Sequence, residues 1–173
     1  MMRRKTVNYV VLPVFLSMCA LVSALPGCGR GDQMGSNKDE PQVMEKVSDA
    51  TWRKLSSKRI YFGHQSVGSN IIDGIRDILK EHAGLSLDIL ESTNPDDMKG
   101  PALIHSKLGT NFDPHSKISS FGTLMREGFG SKVDIAFFKF CYIDIFKDTD
   151  VTDIFNHYTQ TMRDLKKKYG SSG

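Results

Sequence analysis

Gly63-His64-Gln65-Ser66 is the stretch of this chain whose residue types could do chemistry. A serine hydroxyl is a latent nucleophile: it needs a neighbouring base, itself held by a third group, to take its proton. The residues before it, Ile60-Tyr61-Phe62, are a short apolar run, and those after it fall at helical spacing. A serine at the carboxyl end of a strand, just ahead of a helix, stands at the lip of an open α/β sheet, where ligands bind outside the strand ends. The free backbone N–H groups of the first helical turn point to the same place and favour an anion there. His64, His105 and His115 are the candidate bases, although His64 lies only two residues from Ser66, too close to reach its hydroxyl easily in extended backbone. His82 and His157 fall in helical patterns and read as structural. His64 and Gln65 on the serine turn, with Asp144 at a second strand end, are candidates for binding substrate.

The elements that must position these residues alternate along the chain. Ser48 can cap a short helix carrying Trp52 and Leu55. The spacing predicts a strand over 58–63, continuous in apolarity and therefore buried on both faces. A helix follows from Val67, with Val67, Ile71, Ile72, Ile75, Ile78 and Leu79 on one face and a stop at Gly84. Residues 85–90 alternate and read as a second strand nearer an edge. Residues 91–116 have no periodicity and read as a long polar loop, which in a compact domain is either functional or a sign that an element has been missed. After a weak helix over 117–129 comes the most apolar strand, 133–140, expected at the sheet centre. Acids at Asp148, Asp150 and Asp153 open the last helix and Lys166, Lys167 and Lys168 close it, matching the dipole at both ends. Its buried stripe is Val151, Ile154, Phe155, Tyr158, Met162, Leu165 and Tyr169.

Alternation of this kind predicts an α/β fold with a parallel sheet covered on both sides. About three strands emerge, and parallel sheets so small are unusual. The reading therefore expects at least one further strand and takes the domain to be cut short at its C-terminus.

Outside this domain, residues 1–27 read as a signal peptide. Arg3, Arg4 and Lys5 form a positive segment, Val10 to Leu25 an apolar one, and Leu25-Pro26-Gly27-Cys28 closes it. That ending resembles a bacterial lipobox, which implies lipidation at Cys28, with Pro26 where a small residue is usual. The expected protein is exported to the cell envelope and tethered to a membrane by its lipid, through a flexible segment over 28–47. Arg3, Arg4 and Lys5 also account for the whole net charge of +3, so the processed chain is neutral and no nucleic-acid partner is expected. Only Cys141 remains after Cys19 and Cys28, which excludes an internal disulfide in residues 48–173. No metal is expected, because no His/Cys/Asp cluster shows ligand spacing, and no cofactor.

Phe62-Gly63-His64-Gln65-Ser66-Val67-Gly68 after a strand, followed by a Gly/Asn element and a polar strand end, resembles the SGNH (GDSL-type) hydrolase superfamily. The resemblance covers roughly residues 58–165 and implies a flavodoxin-like three-layer α/β/α sandwich that hydrolyses acyl or acetyl esters of carbohydrate or lipid. It implies Ser66 as nucleophile, with His-Gln where that family usually has Asp ahead of its serine. Gly109 in Leu108-Gly109-Thr110-Asn111 would supply a backbone N–H to the oxyanion hole. The family's third block normally gives an Asn to that hole; Phe140-Cys141-Tyr142-Ile143-Asp144 has none, so by the resemblance either Asn111 serves instead or the hole is incomplete. The C-terminal Asp-x-x-His block is absent, so the expected activity is weak. A non-catalytic lipoprotein binding a carbohydrate or an anion, and a truncated remnant, are the alternatives.

Overall fold

The computed structural model describes residues 47–82 and 84–170. The signal segment, Cys28 and nearly all of the tether lie outside the described residues. Four strands form one all-parallel sheet in the order β2-β3-β1-β4: β1 Arg59–His64, β2 Ile89–Glu91, β3 Ala102–Lys107 and β4 Ile135–Phe138. The helices are α1 Asp49–Ser56, α2 Ser66–Glu81, α3 Pro114–Leu124, the short α4 Gly130–Lys132 and α5 Val151–Tyr169, with a π-helical turn over Met125–Phe129 joining α3 to α4. No helix among the described residues is long and apolar enough to cross a membrane.

Successive side chains of a strand point to opposite faces, and β1 uses this to build two cores. Ile60 and Phe62 join Leu103 and Ile72 of α2, with Ile75 and Ile135 packed beside them. Tyr61 faces the other way, into Ile104, Phe121, Met125, Phe129, Ala136 and Leu165, which brings α3 and α5 onto that side. The architecture is the α/β/α sandwich the sequence leads one to expect. Within it the Tyr61 hydroxyl bonds the Ser106 hydroxyl at 2.6 Å, and burial, only partly opposed by that bond, pushes the phenol pKa up to about 12.

Three sequence expectations need correction. The further strand lies inside the chain, as β3 in the stretch read as a polar loop, and it is central, between β2 and β1. Its second half, His105-Ser106-Lys107, is polar because His105 and Ser106 spend their polarity on partners within the sheet. The strand expected at the centre is instead β4, at the sheet's edge among the described residues. Continuous apolarity reports cover on a strand's faces and says nothing of its in-plane neighbours. Finally, Val67 and Ile71, on the shared apolar face expected of α2, and Val151 and Phe155, in the buried stripe expected of α5, stand exposed.

Local chemistry explains the ends of the elements. The Ser48 hydroxyl accepts from Thr51 N–H to open α1. Asp113 and Asp150 likewise cap α3 and α5 through the N–H groups of Ser116 and Asp153. Arg59 and Asp134 pair at 3.0 Å at the amino ends of β1 and β4. Burial alone would raise the Asp134 carboxyl, but the hydrogen bonds and charge of Arg59 outweigh it and hold the carboxyl below the usual range. In the middle of α2, Gly74 has open space around it. Gly74→Ala is therefore expected to stabilise the protein by about 0.5–1 kcal/mol, as a rise in the urea midpoint at unchanged slope.

Candidate active site

The winding of the sheet selects one strand end. The connection leaving β1 passes over one face as α2, whereas those leaving β3 and β4 pass over the other as α3 and α5. β1 is thus where the winding reverses, the place where open α/β sheets bind ligands. Neighbours on both sides reach its final residues: Leu108 N–H donates to the His64 carbonyl at 2.8 Å and Lys139 N–H to the Gly63 carbonyl at 3.1 Å. Gly63 is needed there, since a Cβ on it would lie 2.0 Å from Leu108 Cδ1.

Ser66 is the first residue of α2 and is exposed. Gln65, the N-cap residue, makes no capping bond to the helix. Its amide nitrogen donates instead to the carbonyls of Leu108 at 2.8 Å and Gly109 at 2.6 Å, tying the serine turn to the loop after β3. With the cap diverted and no acid in the first turn, the N–H groups of Ser66 and Val67 stay open to an anion, while the Gly68 N–H donates to the Gln65 carbonyl at 2.7 Å. Gly109 sits at φ +55°, where a Cβ would lie 2.6 Å from Lys117 N, so the tight turn requires glycine. Its own N–H meets no acceptor among the described residues. Ser66 and Gly109, paired by the resemblance as nucleophile and oxyanion donor, are brought to the same end of adjacent strands.

Asn111 stands one turn further on, its carbonyl oxygen accepting from Lys117 Nζ at 3.2 Å. Asp144 is not available to a substrate: its side chain is buried and accepts from Lys117 Nζ at 2.6 Å and from the N–H groups of Phe112 and Cys141 at 3.1 and 2.7 Å. It holds the loops after β3 and β4 together, with Phe112 kept at φ 67°, an unusual place for a bulky residue. The hydrophobicity pattern gives no sign of this ion pair, because Lys117 opens a segment that reads only as a weak helix. Cys141, beside it, is a free and buried thiol.

His64 needs the same correction, being 1% exposed and so no ligand for a substrate. Its Nδ1 donates to the Gln65 carbonyl at 2.8 Å and its Nε2 meets Nδ1 of His105 at 3.0 Å. His105 is buried as well, with Nε2 unpartnered. His115 pairs with His157, Nδ1 to Nδ1 at 2.8 Å, and its Nε2 lies 3.3 Å from Asp153. No imidazole among the described residues hydrogen-bonds Ser66, and no cluster of three or more His, Cys, Asp or Glu among them could hold a metal ion.

Fold and site together define an α/β sandwich that presents a serine, a helix N-terminus and a glycine turn where its winding reverses. Compared with protein-family profiles, curated proteins and solved structures, the chain matches none.

Proposed function

We propose that this chain is an exported, lipid-tethered ester hydrolase of the SGNH type, in which Ser66 attacks the carbonyl carbon of an acyl or acetyl ester. The observation that carries the reading is the placement of Ser66, exposed at the head of α2 and at the reversal strand, with the Gly109 turn tied to it through Gln65. The N–H groups of Ser66, Val67 and Gly109 are the donors for the oxyanion. The Ser66 oxygen bonds the carbonyl carbon and its proton passes to solvent. The ester C–O bond then breaks, the alcohol leaves with a proton from solvent, and water hydrolyses the acyl-serine.

With no imidazole on Ser66, the rate enhancement has to come from binding and the oxyanion donors, about 10³–10⁴ over water in a serine hydrolase lacking its base. The expected result with p-nitrophenyl acetate is slow release of p-nitrophenolate, with an acetyl group on Ser66 found by peptide mass spectrometry. Both are lost in Ser66→Ala, and turnover unchanged in that variant overturns the ester reading. The same missing base favours a second reading, a non-catalytic anion-binding protein using the open turn of α2. It predicts no acetyl-Ser66 but amide shifts at Ser66 and Val67 on adding acetate.

A further inference from the structure

The loop that carries Gly109 also carries an aromatic ring into solvent. Phe112 is 65% exposed and Phe146, on the loop after β4, is 53% exposed; the two rings stack with centroids 5.7 Å apart and planes 7° from parallel. Adjacent exposed rings mark a binding surface in a way that scattered ones do not. Both are held in place before any ligand arrives. Phe112 donates its N–H to Asp144 at 3.1 Å and is kept at φ 67°. Phe146 sits in a turn closed by its own N–H on the Thr149 hydroxyl at 2.7 Å and by the Thr149 N–H on its carbonyl at 3.2 Å. Phe112 follows Gly109 by three residues, in a turn closed from the Asp113 N–H to the Thr110 carbonyl at 3.3 Å. It therefore stands within about 10 Å of the proposed oxyanion donor.

Both rings line a cavity of about 220 Å³ whose other walls include Asp113, Asp150 and Asp153. These carboxylates decide what the cavity can take. An alkyl chain would strip water from them and return no hydrogen bond. A cation is drawn less strongly than three acids suggest, because much of their charge is already answered. Asp113 and Asp150 cap α3 and α5, accepting from the N–H groups of Ser116 and Asp153 at 2.9 and 3.0 Å, and each helix end carries about half a positive charge. Asp153 is exposed and screened by water. What remains is acceptor capacity, since Asp113 and Asp150 each spend one oxygen on the cap and keep the other. We infer that this cavity is a sugar subsite, in which a pyranose lays the C–H face of its ring on the Phe112–Phe146 pair and donates hydroxyls to Asp113 and Asp150. The face of an aromatic ring is negative and the C–H hydrogens of a sugar are slightly positive, so the two surfaces attract beyond their apolar contact. Beside Gly109, the sugar is the alcohol part of the ester, joined through one hydroxyl oxygen to the acyl group that Ser66 attacks. That assignment rests on the ester-hydrolase reading; the sugar subsite itself does not.

The test is an NMR titration of the full chain with the methyl glycosides of glucose, galactose, mannose and N-acetylglucosamine, following the ring protons of Phe112 and Phe146. At least one glycoside is expected to shift both rings, with affinity lowered about tenfold in Phe112→Ala and in Phe146→Ala. Rings that respond to none of the four, or that respond more strongly to tetramethylammonium or hexanol at the same concentration, overturn the inference in the unsubstituted chain, without recourse to any variant. Hydrolysis of 6-O-acetylglucose and of ethyl acetate is measured in parallel. The sugar ester is expected to have the higher kcat/KM, and its advantage to shrink about tenfold in Phe112→Ala, through KM. Ring shifts without hydrolysis of either ester sink the ester reading and leave the subsite standing. Hydrolysis of both esters without ring shifts does the reverse.

Discussion

Asp144→Ala is expected to lower the free energy of unfolding by about 3–5 kcal/mol, the cost of leaving one partner of a buried ion pair without the other. Both side chains are at most 1% exposed, so the Lys117 ammonium has no route to water in the native fold. The substitution also strips the Phe112 and Cys141 N–H groups of their acceptor. Relaxation of Phe112 from φ 67° offsets about 1 kcal/mol, which places the expectation at the lower end of the range. Urea unfolding measures it directly. Lys117→Met in the Asp144→Asn background is expected to recover part of the loss, because the stranded charge is gone and the Asn oxygen still accepts one N–H. The coupling is read from the double-mutant cycle. A loss below about 1 kcal/mol in Asp144→Ala would mean that the ion pair is solvated in solution.

Gly68→Ala is the second large effect, about 1–3 kcal/mol of overpacking and at the upper end of that range. A Cβ there would lie 2.2, 2.3 and 2.6 Å from Cβ, Cγ and Nδ1 of His64. His64 cannot retreat, since its ring is held between the Gln65 carbonyl and His105 and its backbone is paired within the sheet. Gly74, six residues along the same helix, faces open space, so the same substitution has opposite signs at the two positions. Thermal unfolding of the pair checks this, and equal effects would show that helix propensity, not the His64 contact, governs both.

The contrast between these glycines shows what the sequence could convey. Helical spacing placed α2 within a residue or two of its observed bounds, and the apolar run of Ile60, Tyr61 and Phe62 placed β1. The acid-to-base polarity of α5 was legible, because dipole complementarity is local. β3 was not, because its apolar portion, Leu103-Ile104, is short. His105 and Ser106 look like loop residues until their partners across the sheet are known, 41 and 45 positions earlier in the chain. Ser66 could be read as a candidate from its local setting, and Gly109 only through the resemblance that pairs it with a serine. The buried roles of His64 and Asp144 could not, since a polar residue looks the same in sequence whether it meets water or a partner across the fold.

The bond from Gln65 to the carbonyls of Leu108 and Gly109 bears on how a ligand would be received. Together with the strand pairing on either side of Gly63 and His64, it means that the chain entropy of ordering the serine turn is surrendered during folding, before any ligand arrives. If Ser66 receives the ester proposed above, association would resemble the docking of two preformed surfaces, fast and with little adjustment. Discrimination between ligands must come from the fixed outline of the turn, because the turn has no slack with which to wrap around them.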